Sequence, residues 1–314
     1  MELLRLARDL LRLFSKSERT RLAVMIAAMA LGAIFEAIGI GLIMPFIAIL
    51  GDPRLIHDHA LLNGIYVWVG ARSQDQFLLL IACVLFFVYL AKSLYLGWIA
   101  LLQGTFIYAK QAALSRHLLH HYLQQAYPFY LARNSAELQR NVVNEVSNIA
   151  AGIMLPMLLA ISELLVLLFI VGLLLAVDPP VTLVTIGIVG GVATLIQYLM
   201  KSVLSRYSSA RSHYAAEMIK WVNQAIGSIK ETKVLGREAF FVSAFDVNIR
   251  GYAKSSRVFS VTSILPRLLI EVLVMGGLLL TVIFFLATGR DLQLALPLLA
   301  LFGLAAIRVM PSLT

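Results

Sequence analysis

Six charged side chains sit inside runs of sequence that are otherwise apolar: Glu36, Lys92, Glu163, Arg267, Glu271 and Arg308. A charge kept in such surroundings is costly to hold, so these residues are the first place to look for the handling of a polar ligand. The bases allow one chemistry. Lys92, Arg267 and Arg308 together could bind an anionic head group such as a pyrophosphate, the arginines through paired N–H bonds. The acids allow another. With three carboxylates for three cations, and with Arg267 and Glu271 at i, i+4, the set could neutralise itself internally. A metal chemistry is weaker. His117, His120 and His121 share a helical face, but no carboxylate or cysteine lies near them in sequence, and a solvated face explains them better. The single cysteine, Cys83, permits no intramolecular disulfide and reads as a small apolar residue.

The elements that must hold these charges are membrane helices. The 314 residues are 60% apolar and only 14% charged, with mean hydropathy +0.87. A soluble domain of this size needs roughly 25% charged residues to cover its surface. Six stretches, near 22–50, 77–108, 146–177, 179–200, 258–288 and 292–310, are apolar and long enough to cross a hydrocarbon core of ~30 Å. Runs such as LLLIACVLFFVYLA and LLVLLFIVGLLLAV do not alternate with period two, which excludes a β-barrel. Asp178-Pro179-Pro180 closes the third stretch and opens the fourth. Counted from the outer ends of their runs, most of the six charges lie ~20–25 Å deep, with Arg267 nearer the inner rim.

Orientation follows from the basic residues. Lys and Arg number 6 in residues 1–21, 4 in 109–140 and 10 in 201–257, against 2 in 51–76, none in 178–180 and 1 in 289–291. That bias places both termini and the two large loops in the cytoplasm. The N-terminal stretch MELLRLARDLLRLFSKSER has bases on one helical face and leucines on the other. It reads as an interfacial elbow helix over 1–18 rather than a signal peptide.

Helical character continues past the membrane. QAALSRHLLHHYLQQ extends the second stretch without Gly or Pro until Pro128. Leu138, Val142, Val146, Ile149 and Ile153 lead into the third at helical spacing, with Asn134 as the expected N-cap. The third, fourth and fifth helices, the last starting near Glu238, would be ~60, ~65 and ~75 Å long. Tilt cannot absorb that excess. The surplus must project ~25–35 Å on the basic side. Two short connectors tip these stalks, AYPFYLARNS and GSIKETKVLG. In the second, Ser228 and Glu231 are spaced as a capping box and Gly236 supplies a left-handed stop, which predicts an independent two-turn helix lying across the hairpin end. With no lipid within reach, such a helix is placed to contact another protein.

This pattern resembles the transmembrane half of an ATP-binding cassette exporter, over essentially the whole chain. The likeness is strongest at AYPFYLARNSAELQRNVVNEV, similar to the family's first intracellular loop, and at AIGSIKETKVLGREAFF, similar to the second. Ala136 stands where many members have Gly. Within the family the chain most resembles the branch that flips lipid-linked oligosaccharides. The resemblance implies an all-α membrane fold of six long transmembrane helices with cytoplasmic extensions, with an elbow over 1–18 and the six-helix domain over 19–314. It also implies a homodimer with a second transmembrane domain in an inner or plasma membrane. The coupling helices then contain Pro128, Phe129 and Tyr130 in the first loop and Ser228, Ile229, Lys230, Glu231 and Lys233 in the second. Each rests on a nucleotide-binding domain, where ATP and Mg bind.

No G-x-x-x-x-G-K-[ST] occurs in the sequence and no segment alternates strand and helix patterns. These residues are therefore not expected to hydrolyse ATP alone. The last apolar run breaks off at AAIRVMPSLT. An ATPase fused beyond it, or one on a separate chain, is expected. Membrane lipid is an implied partner and nucleic acid is not. Peptide, lipid and drug exporters share the scaffold. An ion-coupled secondary transporter would show broken mid-membrane helices and short connections instead.

Overall fold

A computed structural model describes residues 15–51, 64, 66–67, 73–131, 133, 135–287 and 292–309. The proposed elbow therefore lies almost wholly outside the described residues, as does Asn134. The described residues are helical nearly throughout. In chain order the helices are α1 (Lys16–Gly51), α2 (Gln74–Leu123), α3 (Tyr127–Leu131), α4 (Ser135–Arg140), α5 (Val146–Ile149), α6 (Leu155–Val177), α7 (Pro179–Gly227), α8 (Ile229–Leu235), α9 (Glu238–Ala287) and α10 (Leu292–Val309). Two π-helical turns, Asn141–Glu145 and Ala150–Met154, join α4 to α5 and α5 to α6. By length and composition α1, α2, the run Glu137–Val177, α7 and α9 can each cross a membrane; the apolar part of α10, Leu299–Arg308, is shorter.

Two compact units divide the chain, one within Met1–Pro179 and Val282–Ser312, the other centred on Pro180–Thr281. In the first, α1 packs against α2, α6 and α10. Its buried face, Met25, Met29, Ala33, Ala37 and Ile40, follows helical spacing. One apolar cluster joins Met25 and Met29 to Ile99, Ile107, Ala150, Met154 and Leu158; a second joins Ala33 and Ile40 to Val166, Ile170, Leu174, Leu301 and Ala305. Small residues allow the approach. A Cβ on Gly32 would meet Leu96 Cδ2 at 3.2 Å, and one on Gly41 would meet Leu173 Cδ1 at 3.3 Å. Tyr89 and Tyr95 of α2 donate their hydroxyls to the Gly39 and Ala28 carbonyls of α1, each at 3.0 Å, which satisfies the phenols where water is scarce.

Where the third helix was expected to be regular, it is not. The buried positions are Leu138, Val146, Ala150, Met154 and Leu158, while Ile153, placed on the inner stripe by its spacing, is exposed. A step of four residues drifts by ~40° in an α-helix of 3.6 residues per turn. The wider π turns absorb that drift and keep 146, 150, 154 and 158 on one side. They also loosen the carbonyl ladder, and Ser115 Oγ on α2 donates to the Val142 carbonyl at 2.9 Å.

In the second unit α7 and α9 run antiparallel. Ala193 and Ile196 pack with Ile270, Tyr214 with Gly251, and Trp221 with Phe240 and Phe241. Asp178 is extended between α6 and α7, as its Pro-Pro sequel requires.

Candidate functional site

Four of the six charges meet. Glu36 on α1 places Oε1 3.2 Å from Lys92 Nζ of α2 and 2.9 Å from Arg308 Nε of α10, and Arg308 Nη1 reaches Glu163 Oε2 of α6 at 3.0 Å. The chain of pairs Lys92–Glu36–Arg308–Glu163 ties four helices together and carries no net charge. Side-chain exposure is lowest at Glu36, 5%, and is 11% for Lys92, 25% for Arg308 and 33% for Glu163. Lys92 also lies 4.4 Å from the Tyr89 ring centroid, and its stem packs beside Gly39. Glu36 Oε2 is buried with no hydrogen-bond partner. Within this group the internal-neutralisation reading describes the geometry.

Arg267 and Glu271 are elsewhere, on α9 in the second unit, both exposed. Their spacing permits an ion pair, but none forms between them.

The connectors form the second candidate site. In the first, α3 carries Pro128, Phe129 and Tyr130. The Phe129 ring packs on Tyr122 and Tyr130, Arg133 stacks on its face at 4.9 Å, and the Tyr130 hydroxyl donates to the Tyr122 carbonyl. This aromatic knot pins a five-residue helix that could not persist alone.

In the second connector, α8 is the predicted two-turn helix, and its C-terminus is built as expected. Gly236 has φ 60°, the Arg237 N–H reaches the Thr232 carbonyl at 3.0 Å and the Gly236 N–H the Lys233 carbonyl at 3.4 Å, which together make a Schellman motif. Its N-terminus differs. Ser228 makes no side-chain cap and Glu231 closes no capping box. The Ser228 hydroxyl instead donates to the Gln224 carbonyl of α7 at 2.6 Å, because that helix ends with acceptors to fill. Thr232 is buried and donates back to the Ser228 carbonyl at 2.8 Å. Lys233 pairs with Glu238 at 2.9 Å and holds that carboxyl below its ordinary range. Ile229, Lys230 and Glu231 are exposed, and Val234 and Leu235 are 78% and 70% exposed. A shallow cleft of about 520 Å³ between Trp221, Gln224, Ser228 and Phe240 lies beside them.

The start of α1 carries a contact with its own sequence signature. Ser15-Lys16-Ser17-Glu18 is a capping box: Glu18 Oε2 accepts the Ser15 N–H at 2.7 Å and Ser15 Oγ the Glu18 N–H at 3.3 Å. Glu18 then takes Lys110 Nζ at 2.8 Å, joining the start of α1 to α2. That hydrogen bond, with those from Ser15, lowers the Glu18 pKa against the opposing effect of burial. Among the described residues, His117, His120 and His121 included, no group of three His, Cys, Asp or Glu is placed to hold an ion.

The family described as the ABC transporter transmembrane region matches residues 22–293, which takes in most of α1 through α9 and both connectors. The long apolar helices up to α9 and both connector helices, α3 and α8, fall inside that match. This chain therefore belongs to the ABC transporter transmembrane family, whose transporters work with a nucleotide-binding domain.

Proposed function

We propose that the protein is the membrane-spanning half of an ATP-driven exporter or flippase, forming the cargo pathway and taking its driving force through α3 and α8. The observation that carries this reading is α8. It closes a hairpin of helices of 49 and 50 residues, and it presents Val234 and Leu235 outward at the tip. About 27 residues of α7 follow its apolar run, ~40 Å of helix, so the tip clears any lipid and its apolar face needs a protein. The occupant is a nucleotide-binding domain holding ATP and Mg, fused or separate, and the working unit is a dimer of two transmembrane domains. The lysine and arginine bias supports an inner or plasma membrane orientation with both termini cytoplasmic.

For the cargo, the reading is an anionic amphiphile such as a lipid-linked oligosaccharide. Arg267 supports it: an exposed cation within the apolar part of α9, with no carboxylate bonded to it among the described residues. The test is ATP-driven flux in vesicles containing the chain with its nucleotide-binding domain and no ion gradient. Val234→Ser with Leu235→Ser should abolish flux while the protein stays folded, and Arg267→Gln should reduce flux of anionic cargo only. Full flux in the tip variant would remove the coupling role, and full anionic flux in Arg267→Gln the anionic cargo.

A further inference from the structure

Apart from Arg267, the cations of the second unit fall into two groups. Near the hairpin tip they have carboxylates at hand: Lys220 pairs with Glu217 at 3.2 Å, Lys233 with Glu238 at 2.9 Å and Arg250 with Asp246 at 2.7 Å. Lys230 and Arg237 stand next to Glu231 and Glu238 in sequence. Closer to the apolar ends of the same two helices lie Lys201, Arg206 and Arg211 on α7 and Lys254 and Arg257 on α9, and among the described residues none of these five has an ion-pair partner. The cause is compositional. There is no Asp or Glu in 179–216 of α7 or in 247–270 of α9.

The five share one level. Ile196 packs with Ile270, Arg211 sits 4.4 Å from the Phe259 ring centroid, and Tyr214 covers Gly251. That antiparallel register sets 201–211 of α7 alongside roughly 254–264 of α9, a band ~15 Å tall. Lys201, Arg206, Lys254 and Arg257 are exposed. The Arg211 guanidinium carbon lies over the Phe259 ring, a contact that engages the face of the group and not its N–H donors. On one side of the band both helices become apolar, with Tyr198 exposed at the margin, as aromatic side chains are where hydrocarbon meets water.

A band of unpaired cations at that boundary calls for an anion joined to an apolar tail. We infer that the α7–α9 band binds the phosphate groups of anionic phospholipids in the leaflet it borders, as a headgroup collar separate from the cargo pathway. An acidic protein partner would match the charge but not the apolar margin, and inorganic phosphate would match the head alone. Arg267 lies ten residues beyond Arg257 into the apolar run and is no part of the collar.

The test uses the full chain in nanodiscs of phosphatidylcholine doped with phosphatidylglycerol, followed by extraction and native mass spectrometry of retained lipid. Wild type should retain phosphatidylglycerol over phosphatidylcholine. Lys201→Gln, Arg206→Gln and Arg257→Gln combined should weaken that preference by about five-fold per cation removed. Lys220→Gln, Lys233→Gln and Arg250→Gln combined, which removes the same three charges from the paired group, should leave it unchanged. Added inorganic phosphate at millimolar concentration should not displace the lipid. Equal retention of both lipids by wild type would overturn the collar without any variant having to fold. Equal loss in the tip variant would reduce it to net charge, and displacement by free phosphate would make it an anion site instead.

Discussion

Replacing Glu36 by Gln should be among the most damaging single changes to the first unit. The carboxylate is 5% exposed and accepts from both Lys92 and Arg308. Removing it leaves two cations and one acid. Arg308 keeps Glu163 at 3.0 Å, so its share of the loss is discounted. Lys92 keeps only the Tyr89 ring at 4.4 Å, and at 11% exposure it cannot be rehydrated in place. Breaking a buried pair by removing one partner costs about 3–5 kcal/mol. The low end, about 3 kcal/mol, applies here because only one of the two cations is stranded.

The pairing makes a sharper statement than the size. Glu36→Gln with Lys92→Met restores neutrality, since the remaining Arg308 and Glu163 balance each other. The double variant should therefore be more stable than Glu36→Gln alone by about 2 kcal/mol, a coupling within the usual range for contacting residues. The assay is unfolding by SDS in mixed micelles, with all variants and wild type measured together. If Glu36→Gln lies within about 0.5 kcal/mol of wild type, a change typical of an unremarkable surface site, the carboxylate is not holding the helices. If the double variant is no better than the single one, the loss does not come from a stranded charge.

Three further changes probe other contacts. Glu18→Gln should cost about 1 kcal/mol at neutral pH, the worth of a helix cap; because the folded Glu18 pKa is depressed, its contribution is present above the unfolded value and lost as pH falls through the folded one, so the variant's melting temperature should vary less with pH in the acid range than that of wild type. Gly251→Ala puts a Cβ 2.6 Å from two Tyr214 ring atoms and should destabilise by about 1–3 kcal/mol, with Tyr214→Ala in the same chain recovering part of the loss in a thermal melt. Gly236→Ala forces φ 60° on a residue with a side chain, at about 1–2 kcal/mol, and should lower ATP-driven flux more than overall melting temperature, since the strain falls on α8 alone.

What could be read in the sequence was set by local chemistry. Asp178-Pro179-Pro180 separates α6 from α7 with extended backbone ahead of the paired prolines, Glu238 opens α9 one residue after a short connector, and Gly236 stops α8 because left-handed backbone suits a residue without a side chain. Ser228 shows where such rules lose. Its spacing to Glu231 fits a capping box, but a serine hydroxyl can donate as well as accept, and the frayed end of α7 supplied a carbonyl. The π turns had no residue-type signature at all. Only the step of four through Val146, Ala150, Met154 and Leu158 marks them, and the competing stripe through Ile149 and Ile153 was equally apolar.

The six charges were legible as a set but not as pairs. Composition shows three of each sign; it does not show that Glu36 would meet Arg308 across 272 residues while Arg267 and Glu271, four apart, would not meet. The physical reason is the solvent. Leucine faces lipid about as well as it faces another leucine, so apolar surface says little about which helix neighbours which or in what register. Small residues and polar bonds have to decide that. Along α1 the two act at the same place: Gly39 gives the room in which the Lys92 stem lies 3.4 Å from a would-be Cβ, and that close passage is what lets Nζ reach Glu36 one turn away. A helix bundle in lipid is thus specified by its few non-greasy positions, and in this unit they converge on one carboxylate. Substituting leucines on the outer faces of α2, such as Leu79, Leu94 or Leu101, should accordingly move stability far less than the one-atom change at Glu36.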